Sequence, residues 1–185
     1  MNLKEESDAR CLEALRRGEK GAFNVLYHRY RLQLYRFALR FLSSPSSAED
    51  AVHETFLKLY RSVESLDRAD SLRHWLFRVL RNEALMVIRR RHQSEVADEE
   101  NLWVSEDPST ALEGKESEEI IQTALHLLKP EYREVILLRE FEHLSYGEIA
   151  VVTESSVSSV KSRLFKARRA LALRVVPLFE ERKRV

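Results

Sequence analysis

Lys161, Arg163, Lys166, Arg168 and Arg169 stand in a stretch, Val157 to Leu173, that holds no acidic residue. Cations at this density on one helix reach phosphates and base edges together, the two kinds of contact that bind duplex DNA. The apolar residues test whether the stretch is an amphipathic helix or only a basic tail. Val160, Leu164, Ala167 and Leu171 step by four, three and four residues, which sets them on one stripe facing a core. Ser158, Ser159, Lys161, Ser162 and Lys166 then point elsewhere, and Ser156 is the expected N-cap. Upstream, Ser145 and Glu148 have the spacing of a capping box, with Ile149 and Val152 turned inward. The pattern is helix, tight turn, helix. Phe165 lies about 100° around the axis from Leu164, either as a flank of the core or as an apolar contact to a thymine methyl in the major groove.

A second segment suits a different nucleic-acid chemistry. From Leu72 to Arg91 the chain interleaves aromatics, an amide and cations, among them Trp75, Phe77, Arg78, Val79, Asn82, Arg89 and Arg90. Such a surface can stack on unpaired bases and hold the phosphates of a single strand. Trp75 as ordinary core and Asn82 as plain helix surface are the alternatives. The preceding helix is expected over Ser46 to Tyr60, capped through Ser46 with Glu49 or Ser47 with Asp50, and buries Val52, Phe56, Leu59 and Val63. Glu49, Asp50 and Glu54 fall in its first turns, where the helix dipole favours acids. Pro45 closes the helix before it, which runs from Ala22 to Leu42.

These segments need a scaffold, and composition says which kind. In 185 residues, 44% hydrophobic, there are only four glycines and four prolines. That favours an all-α fold over sheets with many turns. Cys11 is the single cysteine, so neither an intramolecular disulfide nor a cysteine metal cluster is expected. The six histidines are scattered, no glycine-rich phosphate loop occurs, and Asp50 with Glu54 is a lone acid pair. Hence neither an enzyme nor a cofactor is expected. No apolar run approaches membrane-spanning length, and the first residues lack a signal-peptide core, so a cytoplasmic protein without stable membrane insertion is expected.

The net charge of +1 conceals segregation. Residues 1–28 balance; 29–93 carry about plus six, 94–119 about minus nine and 120–185 about plus four. The acidic stretch repels itself and lacks apolar content, which predicts an extended linker. The expected organisation is two small helical domains, 1–93 and 120–185, joined by a flexible acidic linker over 94–119, the C-terminal domain being a helix-turn-helix.

Taken together, the segments resemble the extracytoplasmic-function (ECF) group of sigma factors in the sigma-70 family of bacterial RNA polymerase. Ala48-Glu49-Asp50 through Phe56-Leu57-Lys58-Leu59-Tyr60, then His74-Trp75-Leu76-Phe77-Arg78-Val79, Asn82 and Arg89-Arg90-Arg91, is similar to the family's region 2. Leu128-Lys129-Pro130-Glu131-Tyr132-Arg133-Glu134-Val135 through Arg139, leading into Leu144-Ser145-Tyr146-Gly147-Glu148-Ile149-Ala150 and Val160-Lys161-Ser162-Arg163-Leu164, is similar to region 4.

The resemblance implies a subunit that binds core RNA polymerase, recognises the promoter −10 and −35 elements and promotes transcription initiation. By position, Glu49, Asp50, His53, Glu54 and Leu57 would bind the clamp helices of the largest polymerase subunit, and the polymerase flap is a further implied contact. Trp75, Arg78, Val79, Asn82, Arg89 and Arg90 would meet the −10 element as it opens, with a flipped-base pocket in the loop Ser65 to Ser71. Ser156, Ser158, Ser159, Lys161, Ser162, Arg163, Phe165 and Lys166 would read the −35 element in duplex DNA.

An anti-sigma factor is the further partner that the resemblance implies. The acidic linker, with ten acids, would occupy the basic RNA-exit channel, anchored by Leu102-Trp103-Val104. Four positions depart from the family pattern: Glu154 for glycine and Ser155 for an apolar residue in the turn, His53 for glutamine and Met86 for aspartate. The competing expectation is a helix-turn-helix regulator that binds DNA without being a polymerase subunit. It would need a ligand pocket or phosphoacceptor in the first domain, and the sequence offers no such constellation.

Overall fold

A computed structural model of the chain describes residues 7–66, 71–97 and 113–182. All regular structure among these residues is helical. The N-terminal lobe contains α1 (Asp8–Arg16), α2 (Lys20–Leu42), α3 (Pro45–Ser62) and α4 (Leu72–Ala97). Along α2, Leu26, Tyr30, Leu34, Phe37, Ala38 and Phe41 recur at helical spacing and are all buried, which drives the helix against its neighbours. Phe37 meets Phe77 of α4 edge-on at 5.4 Å, and Val52, Phe56 and Leu59 of α3, with Val63 just past its end, are buried as their stripe predicts.

The corner between α2 and α3 departs from expectation. Ser43 ends α2 in the left-handed region at φ 53, and α3 starts on Pro45. Ser44, not Ser46 or Ser47, is the N-cap, its hydroxyl accepting from the Ser47 amide at 3.4 Å. Proline at the first helical position presets φ and forfeits only an N–H that has no partner there, so the helix begins earlier than a capping-box spacing suggests. α1 was not anticipated. Asp8 anchors it by pairing with Arg29 and accepting from the Tyr30 hydroxyl, while Arg16 donates to the Val63 and Leu66 carbonyls at 3.0 and 2.9 Å.

The C-terminal lobe contains α5 (Glu113–His126), α6 (Pro130–Ile136), a π-helical turn (Leu137–Phe141), α7 (Tyr146–Val152) and α8 (Val157–Arg182). In the wide turn the Glu142 amide donates to the Leu137 carbonyl at 3.1 Å, five residues back. Helix enters both ends of the stretch expected to be linker, since α4 continues to Ala97 and α5 starts at Glu113. No glycine or proline interrupts residues 94–97, and the linker's one proline, Pro108, lies at neither end. Leu102-Trp103-Val104 and most of the loop Ser65 to Ser71 lie outside the described residues.

The two lobes are packed together rather than held apart. Most of their buried apolar residues form one continuous cluster, from Leu34, Phe37 and Phe77 through Val135, Leu137 and Leu138 to Val160 and Leu164. Polar groups line the seam. Arg133, 6% exposed, donates to Phe41 O at 2.6 Å across the seam and to Leu125 O at 2.8 Å, Leu128 O at 3.2 Å and His126 O within its own lobe. Three of these are carbonyls at or just past the α5 C-terminus, where the regular helical ladder runs out and a cation is attracted. Burial pulls the Arg133 guanidinium down to about 10. Gln33 donates to Glu142 Oε2 at 2.6 Å and Arg73 to Glu142 O at 2.8 Å. His74 Nε2 lies 3.0 Å from Glu148 Oε1.

Candidate nucleic-acid interface

The helix-turn-helix follows from local chemistry. Ser145 accepts from the Glu148 amide at 3.3 Å while Glu148 Oε2 accepts from the Ser145 amide at 2.7 Å, the reciprocal capping box expected. The two hydrogen bonds from Ser145, together with His74, draw the Glu148 carboxyl down to about 2. Ser156 caps α8 by accepting from the Ser159 amide at 3.1 Å. Between the helices, Glu154 sits at φ 51, a left-handed conformation that costs a side chain roughly 1 kcal/mol. The turn is pinned despite this. Thr153 and Ser155 hydroxyls lie 2.8 Å apart, the Ser155 amide donates to Ala150 O at 3.0 Å, and Arg163 reaches both hydroxyls. Ser155 is therefore a hydrogen-bonding part of the turn.

Val160, Leu164 and Ala167 are buried and Leu171 is partly so. That orientation puts Ser158, Lys161, Ser162, Phe165 and Lys166 together on the open face of α8, with Ser156 beside them and Ser159 half-buried. Phe165 is 70% exposed, so it is not a flank of the core. Tyr146, Lys161, Phe165, Arg168 and Arg169 border a shallow depression on this face. Arg163 stands apart from the others: it turns inward to Glu134 Oε1 at 2.9 Å and to the Thr153–Ser155 turn.

On α4, Trp75, Val79, Asn82, Met86 and Arg89 recur every three or four residues and share one face. Trp75, Arg78, Val79 and Asn82 are half-buried, whereas Arg89 and Arg90 are exposed. Asn82 and Arg89, with Arg81, Leu85, Ile88, Gln93 and Pro130, line a groove of about 690 Å³ between α4 and the start of α6. Arg91, next to the residues assigned to DNA, instead ties the α2–α3 corner, donating to Leu42 O at 3.2 Å and Ser47 Oγ at 2.8 Å.

On α3, Glu49, Asp50 and His53 are exposed and Glu54 and Leu57 half-buried, on a face that continues into Tyr60, 59% exposed.

Sequence reasoning missed the charge cluster that joins the lobes. Glu134, 1% exposed, accepts from Arg81 Nε at 2.6 Å and Nη2 at 3.3 Å as well as from Arg163. Arg81 also donates to Asn82 Oδ1 at 3.1 Å. Neighbouring positions in the sequence gave no sign of this, because its three members come from α4, α6 and α8.

Residues 26–94 match the family model for sigma-70 region 2, and residues 118–171 match that for sigma-70 region 4. The RNA polymerase sigma-H factor of Pseudomonas aeruginosa is 31% identical over 97% of this chain and 99% of its own length. The ECF RNA polymerase sigma-E factor of Haemophilus influenzae is 33% identical over 93% of this chain and 97% of its own. A co-crystal structure from Bartonella quintana, of the sigma factor RpoE with the anti-sigma factor NepR, superposes with a TM-score of 0.72 at 26% identity, covering 85% of this chain and 96% of that one. Two regions matched in order, with relatives above 30% identical along nearly the whole chain, have one meaning: the chain belongs to the ECF group of the sigma-70 family and is an RNA polymerase sigma factor.

Proposed function

We propose that the two lobes divide promoter recognition between them, residues 1–93 taking core polymerase and the −10 element and residues 120–185 the −35 element, with 94–119 as the tether. The open face of α8 carries the reading: Lys161, Ser162, Phe165 and Lys166 are exposed together while the helix's apolar stripe is buried. In the major groove the cations meet phosphates and base edges, and Phe165 meets a thymine methyl. Arg163, with Ser155 and Thr153, keeps the turn in shape so that Ser156, Ser158 and Ser159 are presented to the backbone.

The face of α4 does the other half of the work. Unpairing DNA costs a few kcal/mol per flipped base, and a surface that holds only the unstacked strand shifts that equilibrium by its differential affinity. Trp75 and Val79 border the point of opening, Asn82 and Arg78 hold the non-template strand, and Arg89 and Arg90 hold its phosphates. No step needs a catalytic side chain, so the protein works by binding alone.

Glu49, Asp50, His53, Glu54 and Leu57 dock on the clamp helices of the largest polymerase subunit, and the C-terminal lobe docks on the flap. An anti-sigma factor is a further partner, an idea supported by the complex in which the similar Bartonella quintana factor was solved. Action in the cytoplasm follows from work on chromosomal promoters. The described residues contain no helix long and apolar enough to cross a membrane.

Transcription with core polymerase, with and without this chain, on templates selected from genomic DNA tests the reading. Stimulation from a discrete set of promoters is expected. Binding to the same DNA with no effect of polymerase would favour a separate regulator.

A further inference from the structure

The carboxylate of Glu134 is held by Arg81 in a geometry that a phosphate could share. Its two oxygens meet Nε at 2.6 Å and Nη2 at 3.3 Å, the two-pronged grip by which guanidinium holds carboxylate and phosphate alike. Arg81 adjoins Asn82, and both line the groove that also contains Arg89. Its side chain is 15% exposed and that of Glu134 1%. A strong anion ligand on the strand-holding helix is thus engaged by the other lobe.

Glu134 can give up Arg81 without becoming a stranded buried charge, because Arg163 pairs with it from within its own lobe at 2.9 Å. A buried carboxylate that lost its only partner would cost several kcal/mol; this one keeps a cation. The cluster has two guanidinium groups for one carboxylate, so its excess positive charge already favours an incoming phosphate.

Length gives the reason for release. The −10 and −35 elements lie about 25 base pairs apart, roughly 85 Å at 3.4 Å per pair. A packed chain of this size has a radius of gyration of about 16 Å and spans about 40 Å. Both elements cannot be held while the lobes remain packed.

We propose that Glu134 is a stand-in for DNA phosphate that keeps Arg81 engaged while the lobes are together, and that Arg81 becomes a strand-binding residue when they part. The latch and the DNA contact are then one side chain exchanging one anion for another. This inference rests on the assignment of the α4 face to single-stranded DNA, and it adds Arg81 to that face.

Binding of the full-length chain to a short fluorescein-labelled single strand of mixed sequence, followed by anisotropy, tests it alongside the radius of gyration from X-ray scattering. Glu134→Gln is expected to expand the protein and raise strand affinity about tenfold, the effect of freeing one buried charge-assisted contact. Arg81→Ala is expected to expand it equally while leaving affinity at or below the wild-type value. The double variant should bind like Arg81→Ala, the non-additivity that marks a shared contact.

Arg81→Lys keeps the cation but loses the two-pronged grip and leaves Glu134 its second arginine. If Glu134→Gln fails to fold, this variant should still expand and bind more tightly than wild type. Expansion without gain in affinity in the variants that keep Arg81's charge, gain in affinity by Arg81→Ala, or no expansion in any variant overturns the proposal. Transcription by wild-type protein with core polymerase is measured separately. Its failure would sink the proposed division of function while leaving the binding results to judge the latch.

Discussion

The two lobes hold their proposed nucleic-acid helices by different balances of the same forces. In the N-terminal lobe α4 is held by large apolar side chains, Leu76, Phe77 and Leu80 all fully buried, and its reading face is half-buried beside the seam. In the C-terminal lobe the buried stripe of α8, Val160, Leu164 and Ala167, is joined by a charged and hydroxyl-bearing frame, Arg133 on carbonyls and Glu134 with Arg163 and the Thr153–Ser155 turn, and the proposed reading face of α8 looks outward. Apolar packing is close but non-directional, whereas a network of hydrogen bonds also fixes orientation. The added directional bonds lie under the face proposed to read base edges, where orientation matters most.

The largest effect should come from the apolar frame. Phe77→Ala leaves a cavity where Phe37 packs edge-on and should cost about 3–5 kcal/mol, measured by urea titration. A single transition in which both lobes melt would show that the continuous cluster makes them one cooperative unit; two transitions would separate them. Arg133→Ala comes next, at about 3 kcal/mol, because four carbonyls lose their donor. Its melting temperature should fall, and the C-terminal lobe should lose amide protection before the N-terminal one.

Smaller effects divide the two reading faces. Lys166→Ala should weaken duplex binding by about 1 kcal/mol and lower the salt dependence by about one ion. Asn82→Ala should leave duplex binding intact and reduce permanganate reactivity of the opened strand several-fold. Equal loss in both assays for either variant would erase the division.

The smallest effect is a response to acid, read from thermal melts across pH. Burial, Arg133 and Arg91 hold His126 below the ordinary imidazole range, and its Nδ1 lies 3.1 Å from Ser43 Oγ across the seam. A lowered histidine contributes stability that is full above its unfolded value near 6.5 and is lost as pH falls through the folded one. The seam should therefore loosen first. Glu148, drawn down to about 2, loses its contribution later, as pH falls from the ordinary carboxylate range toward that value. Its side chain is 39% exposed, so screening keeps this below about 1 kcal/mol.

What the sequence made legible was local. The stripes of α3 and α8, the Ser145–Glu148 box and the Ser156 cap depend on residues within one or two turns of each other, and all are present. Ser44 was missed because proline at the first position outweighs a serine and acid spaced like a capping box. The seam was illegible for another reason. Arg81, Arg133, Glu134 and Glu142 look like ordinary surface charges until chains 53 to 109 residues apart are brought together, and no periodicity records such a meeting. Arg163 was grouped with the outward cations because it lies in the same acid-free run; one step from Leu164 is enough to turn it inward.

α4 runs unbroken for 26 residues, about 39 Å at 1.5 Å per residue. Trp75 and Arg89 ride on the same rod about 21 Å apart, close to six nucleotides of stacked rise. On the proposed assignment the helix is a yardstick, and the length of strand it holds is set by its own pitch. One residue inserted between Asn82 and Met86 would swing the arginines by about 100° and leave the aromatic end gripping a bubble whose far edge has no handle.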